Sequence, residues 1–213
     1  MKTGFLLKSL FVFVLASFMV LPVTKAMSDN IKHNDPMALV NTTVNSILDL
    51  LKNKEMNKDQ RRAKIRALVF ERFDFNEMSK RVLGTNWRQL TPAQQKTFAD
   101  IFSKLLEASY VGKVENYTNE KVVFKTEQIQ DDYAKVNTVI HTKTNDIPLV
   151  YFMYFNGKDW YVYDVIIENV SLVSTYRSTY NQIIKQKGFD ELIKEMNRKI
   201  KELSAPKNGN NAS

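Results

Sequence analysis

The stretch Ile147-Pro-Leu-Val-Tyr-Phe-Met-Tyr-Phe-Asn-Gly-Lys-Asp-Trp-Tyr-Val-Tyr-Asp-Val-Ile-Ile167 decides the fold. The residues on either side of Asn156-Gly157 are largely β-branched and aromatic, types that suit a pleated, half-buried surface. Asn-Gly between such runs is a strong signal for a hairpin closed by a two-residue type I′ turn. Ile147 to Phe155 and Lys158 to Ile167 therefore read as antiparallel neighbours. Pro148 falls near the start of its strand, where a missing N–H does least harm. Upstream, Lys121 to Glu127 and Tyr133 to Thr144 show the same period of two. Four sequential strands with short connections make a meandering antiparallel sheet.

Helical spacing flanks the sheet on both sides. Asp35-Pro36 reads as N-cap and first helical residue, ahead of Ala38, Leu39, Val44, Ile47, Leu48 and Leu51. A second helix starts near Lys58. Ile65, Leu68, Val69 and Phe70 form its apolar side, and Arg61, Arg62, Lys64 and Arg66 are expected to point elsewhere. Asp74 caps a short third helix that Gly84 stops. Thr91-Pro92-Ala93-Gln94 is a capping box, and the helix it opens runs to about Tyr117 with a broad apolar stripe. After the strands, one helix runs from about Ser171 to Gly188 and a last one holds Leu192, Met196 and Ile200. The order predicts an α+β fold: a four-stranded antiparallel curved sheet covered by helices, with a helical N-terminal part and two C-terminal helices.

The ends of the chain differ from this body. Residues 1–26 combine Lys2 and Lys8, an apolar run from Leu10 to Val23, and Thr24-Lys25-Ala26, which is the grammar of a secretory signal peptide. Cleavage after Ala26 would leave a folded domain over 27–203 and a polar tail over 204–213 that is expected to be disordered. An exported protein of this kind is expected in the periplasm. The formal net charge is +8. Three of those positive charges belong to the leader, so the mature chain is mildly basic. Its basic residues are interleaved with acids, so no nucleic-acid partner is expected.

Several chemistries are excluded by inventory. With no cysteine, disulfides, thiolate catalysis and cysteine zinc sites are ruled out. The two histidines, His33 and His141, share no ligand spacing, so no metal is expected. The glycines between leader and tail cannot build a phosphate loop of the usual spacing. Asp164, in the apolar run Tyr163-Asp164-Val165, is the one carboxylate with the setting of a general base. Bonding to backbone amides or to a cation is the plainer reading, because no second catalytic group stands near it in sequence. Aromatic residues concentrate in the helix after Pro92 and in the hairpin, where they occupy both faces. That surplus fits a core built of aromatics, or the lining of a cavity.

Several segments, taken together, resemble the periplasmic lipid-carrier family of the maintenance-of-lipid-asymmetry system, MlaC, also called the toluene-tolerance auxiliary family. They are Arg81-Val82-Leu83-Gly84 before Trp87-Arg88, and Thr91-Pro92-Ala93-Gln94-Gln95 with Phe98, Phe102 and Tyr110. They continue with Trp160-Tyr161-Val162-Tyr163-Asp164-Val165, Glu168-Asn169-Val170-Ser171-Leu172, Tyr176-Arg177, Gly188-Phe189-Asp190 and Leu192-Ile193. Their order covers nearly the whole mature chain. One departure is Asn169, where members often carry Gly. Asn tolerates positive φ, so the turn is expected to be kept.

The resemblance implies a monomeric carrier without catalytic activity or cofactor, holding phospholipid as cargo in an apolar pocket between sheet and helices. It further implies exchange between an inner-membrane transporter of the ATP-binding-cassette class and an outer-membrane lipoprotein–porin complex. A side branch associated with hopanoid-lipid loci stands as an alternative cargo class. Another alternative is an exported isomerase or hydrolase using Asp164 or His141 in the same cavity. Combining the helix stripe with alternate sheet positions gives an expected lining. Val82, Leu83, Trp87, Phe98, Phe102 and Leu105 come from the helices, and Tyr151, Met153 and Val165 from the sheet. Arg177 is expected at the mouth as the phosphate partner. Binding is expected to depend on pocket volume and not on the head group.

Overall fold

The computed structural model describes residues 35–115 and 120–205. The expected leader over 1–26, His33 and the tail from 206 onward lie outside the described residues.

Each helix begins where a side chain accepts the first free amides or where glycine turns the chain. Asp35 accepts from Met37 N at 2.8 Å and Ala38 N at 3.2 Å and opens α1 (Pro36–Lys52). Asn57 accepts from Gln60 N at 2.9 Å and opens α2 (Lys58–Arg72). Asp74 accepts from Glu77 N at 2.9 Å and opens α3 (Phe75–Leu83). Gly84, at φ +56, ends α3 and leads into a 3₁₀ turn over Gly84–Gln89 that the sequence pattern does not announce. The capping box before α4 (Pro92–Glu115) is reciprocal: Thr91 N donates to Gln94 Oε1 at 2.9 Å, and Gln94 N to Thr91 Oγ1 at 3.3 Å. Ser171 opens α5 (Leu172–Lys187). Gly188, at φ +86, turns the chain into α6 (Phe189–Ser204). The tail expected from residue 204 thus loses its first residue to α6.

The sheet has five strands, not four: β1 (Lys121–Gln130), β2 (Tyr133–His141), β3 (Asp146–Phe155), β4 (Trp160–Ile167) and β5 (Val170–Ser171). They lie in the order β1-β2-β3-β4-β5, every neighbouring pair antiparallel. The fifth strand is two residues long, too short for a period of two to register. It exists because Glu168 and Asn169 both take positive φ, +49 and +66, and fold the chain straight back on Ile167. Two central residues at positive φ are what a type I′ turn requires. The turn expected at Asn156-Gly157 is different. Phe155 pairs with Trp160, so four residues connect β3 to β4, and Asn156 Oδ1 accepts from the amides of Lys158 and Asp159 at 2.9 Å each. β2 stops at His141, short of Thr144, because Thr142 Oγ1 accepts from Asn145 N at 2.9 Å and shapes the turn.

Burial follows two clusters. In the first, α3 to α6 contribute Met78, Phe98, Phe102, Leu105, Leu192 and Met196, with Phe98 and Phe102 stacked at 5.7 Å. In the second, Val136, Met153, Trp160, Val162 and Val165 on the inner face of the sheet pack with Val40 of α1. α2 belongs to neither cluster, and none of its residues is buried.

Candidate functional site

A cavity of about 480 Å³ opens between these clusters. The sheet supplies Leu149, Tyr151, Val165 and Ile167, and α5 adds Leu172. Met78, Ser103, Leu106 and Tyr110 of α3 and α4 form a second side. The third side is α2, through Ile65, Val69 and Phe70, with Phe73 and Phe75 just beyond it. α2 packs along α1 and turns its apolar side to the open cavity. That is why α2 buries no residue fully despite its apolar side.

The walls are apolar but not uniform. Tyr151 is part of that wall, and burial pushes its pKa up to about 12, so it is neutral at any ordinary pH. Burial likewise raises Tyr110, with Tyr176 adding to the effect. The polar groups gather on α2. Lys58, Arg61, Arg62 and Arg66 all line the cavity, and Glu107 of α4 faces Arg66 with 3.0 Å between Nε and Oε2. The Arg66 guanidinium lies 4.4 Å over the Phe70 ring. Arg61 donates from Nη2 to the Met56 carbonyl at 2.9 Å, while its Nε is buried without an acceptor among the described residues. The basic residues of α2 were expected to point away from its apolar side. Three of the four share that side instead, since positions 61, 62, 65, 66 and 69 fall on one face of a helix. Their methylene stems line apolar surface while the charged ends reach polar partners.

The residues selected from sequence divide sharply. Tyr151 and Val165 line the cavity. Val82, Leu83, Phe98, Phe102 and Leu105 are packed inside the helical cluster with Trp87, and Met153 is packed in the sheet cluster. None of these seven lines the cavity. Arg177 is exposed and donates from Nε to the Arg81 carbonyl at 2.8 Å, a contact between α5 and α3. Ile65, Val69, Phe73, Leu149 and Ile167 line the cavity without having been selected. The signal for Ile65 and Val69 was present as an apolar pair one turn apart.

The catalytic alternative finds its two candidates occupied. Asp164 accepts from Ser171 Oγ at 2.6 Å and from Val173 N at 3.0 Å, which ties β4 to the start of α5. His141 Nδ1 lies 2.6 Å from Asp146 Oδ1 at the exposed β2–β3 turn. No group of three or more potential metal-ligating side chains occurs among the described residues. Nor is any helix among them long and apolar enough to cross a membrane.

Known proteins share both the pattern and the fold. The chain is 27% identical over 122 residues to the intermembrane phospholipid transport system binding protein MlaC of Haemophilus influenzae, an alignment covering 54% of this chain and 57% of that protein. The chain thus spans somewhat over half the length of that relative. A solved phospholipid-binding protein from Ralstonia solanacearum, in complex with a phospholipid, superposes with a TM-score of 0.74 at 25% identity. The match covers 80% of this chain and 99% of that one. A family description, MlaC protein, matches residues 41–198, from within α1 to within α6, and the chain belongs to that family.

Proposed function

We propose that this chain is a periplasmic phospholipid carrier that holds the acyl tails of its cargo in the cavity between α2, α4 and the sheet. The observation that carries this reading is the cavity itself. It is apolar over most of its wall and is bordered by a helix with no fully buried residue. Its volume of about 480 Å³ falls in the range of small-molecule sites. The phospholipid bound by the Ralstonia relative supports the same cargo class here.

The energetics suit a shuttle. Two acyl chains carry roughly 30 methylenes at ~0.8 kcal/mol each, so burial from water is worth on the order of 24 kcal/mol. That exceeds the usual ceiling on measured affinity. A bilayer offers the same burial, so pocket and membrane are nearly balanced, and net direction is set by partners. The partners in this reading are an inner-membrane transporter of the ATP-binding-cassette class and an outer-membrane lipoprotein–porin complex. The carrier works as a monomer, catalyses nothing and needs no cofactor.

Native mass spectrometry of the protein purified from the periplasm tests this. One phospholipid per chain is the expected result. A lipid-free chain from fresh periplasm would overturn the reading. A polycyclic lipid in place of a phospholipid would move the cargo to the hopanoid class.

A further inference from the structure

We infer that a second space, beside the main cavity at the corner between α2 and α3, takes one acyl chain of a two-tailed phospholipid while the cavity takes the other. The inference rests on the carrier reading above and narrows the cargo to lipids with two chains. The second space measures about 340 Å³ and shares Phe70, Phe73, Phe75 and Ser103 with the cavity. Phe70 belongs to the last turns of α2, Phe73 follows that helix, and Phe75 opens α3. The rings of Phe70 and Phe75 lie 4.6 Å apart and those of Phe73 and Phe75 6.1 Å apart, so one aromatic corner borders both spaces. Phe70 is still 39% exposed, and hydrocarbon laid against it would remove that surface from water.

Volume argues for two compartments. Taking a methylene at about the liquid volume of a water molecule, ~30 Å³, the cavity of about 480 Å³ holds about 16 of them, one tail of ordinary length. Two tails carry roughly 30 methylenes. The second space has room for about 11 more, most of the second tail. Its chemistry suits a tail better than a head group. Pro92 and Ala99 line it together with the shared rings. Three of its polar side chains bond within the protein. Gln95 Nε2 donates to the Trp87 carbonyl at 2.9 Å, Lys96 Nζ to Asp100 Oδ2 at 2.6 Å, and Ser103 Oγ to the Asp100 carbonyl at 2.9 Å. What the space offers a ligand is chiefly the aromatic corner.

The test offers the purified protein, stripped of lipid, vesicles that contain dipalmitoyl phosphatidylethanolamine and its one-tailed lyso form. Native mass spectrometry then reads total occupancy and the ratio of two-tailed to one-tailed lipid. Ala99 is half-buried and lines the second space but not the cavity. Ala99→Trp should lower that ratio about tenfold relative to wild type, the factor for losing burial of about two methylenes. Occupancy by the lyso lipid should hold. If the variant does not fold, the wild-type chain decides with a phosphatidylethanolamine that carries a photoreactive diazirine at the end of one tail. Adducts are then expected both in residues 92–100 and in the strands that line the cavity. An unchanged ratio in the folded variant, loss of the lyso lipid together with the two-tailed one, or adducts confined to the strands overturns the second-tail inference alone. Wild type that takes up neither lipid overturns the carrier reading and this inference with it.

Discussion

The Nε of Arg177, in the second turn of α5, donates across 2.8 Å to the carbonyl of Arg81 in the last turn of α3. One turn further on, Asn181 Nδ2 donates to the Val82 carbonyl at 3.1 Å, and Asn181 Oδ1 accepts from Asn86 Nδ2 at 2.6 Å. The last carbonyls of a helix have no partner within it and carry its negative dipole end. A guanidinium and an amide from a neighbouring helix satisfy them here, so Arg177 joins two helices.

Arg177→Ala should therefore cost about 0.5–1.5 kcal/mol of stability, the worth of one hydrogen bond. Lipid occupancy of the folded variant should stay at the wild-type level. Urea unfolding and native mass spectrometry on the same sample separate the two effects. A variant of unchanged stability that has lost its lipid would restore Arg177 to a head-group role.

Bulk added to the core and bulk added to the cavity should have opposite consequences. Phe102 has no exposed surface and lies between Phe98, Tyr176 and Tyr180. Phe102→Trp should overpack that cluster and lose about 1–3 kcal/mol. Leu149 is half-buried and lines the cavity. Leu149→Trp should leave the melting temperature within a few degrees and reduce bound lipid. Both variants behaving alike would mean that the cavity is not the binding space.

Asp164 serves the backbone. Its Oδ1 takes the Val173 amide and its Oδ2 the Ser171 hydroxyl, which itself accepts from Ser174 N at 3.0 Å. Asp164→Ala should cost about 1–3 kcal/mol, because an N-terminal amide of α5 and a hydroxyl lose their acceptor together. Asp164→Asn, which keeps an acceptor, should cost less. An alanine variant with an unchanged urea midpoint would contradict the assignment.

Glu127 Oε2 and Asp35 Oδ1 both accept from Met37 N, at 2.6 and 2.8 Å. Burial, followed by the hydrogen bond to Asp35, holds Glu127 above its ordinary 4.5. The bond with Glu127 holds Asp35 below its ordinary 3.8. The raised Glu127 value contributes stability that is complete below about 4.5 and lost as pH rises through the folded-state value. The lowered Asp35 value contributes above about 3.8 and is lost as pH falls through its folded-state value. The pair is thus most favourable near pH ~4, and it loses the Glu127 contribution toward neutrality and the Asp35 contribution toward strong acid. Glu127→Gln mimics the protonated acid. It should be more stable than wild type at neutral pH, with the difference closing toward pH ~4. Melting curves of the two proteins that run parallel across that range would exclude a shared proton.

Much of the architecture was legible because its signals are local. Asp35-Pro36, Asp74, Thr91-Pro92-Ala93-Gln94, Gly84 and Gly188 each act within one turn of their own position, and each begins or ends a helix as read. Period two over residues 121–167 likewise reports the pleat of one strand at a time. The turns were legible only in part. The pair Asn156-Gly157 signals a two-residue loop, but the Asn156 side chain captures two amides and opens the loop to four. The tighter turn is at Glu168-Asn169, where Asn169 takes the positive φ expected of it and Glu168, which carries no such signal, takes one as well.

The sequence by itself determined the order of the helices and of the four longer strands, most of the helix caps and the family. The tertiary structure alone decided where the cavity lies. A stripe such as Phe98, Phe102 and Leu105 looks the same whether neighbours fill the space before it or leave it empty, because both demand apolar side chains at a period near 3.6. Whether that space is filled depends on how α3, α5 and α6 pack around α4, which is set by shape across distant parts of the chain. They close over those residues, while α2 stands off the sheet and leaves room beside Ile65, Val69 and Tyr151. The arginines of α2 were misread for a related reason. Composition marks their charge as solvent-seeking, and only the folded arrangement shows that their stems line a cavity, with the guanidinium of Arg61 drawn in beside it.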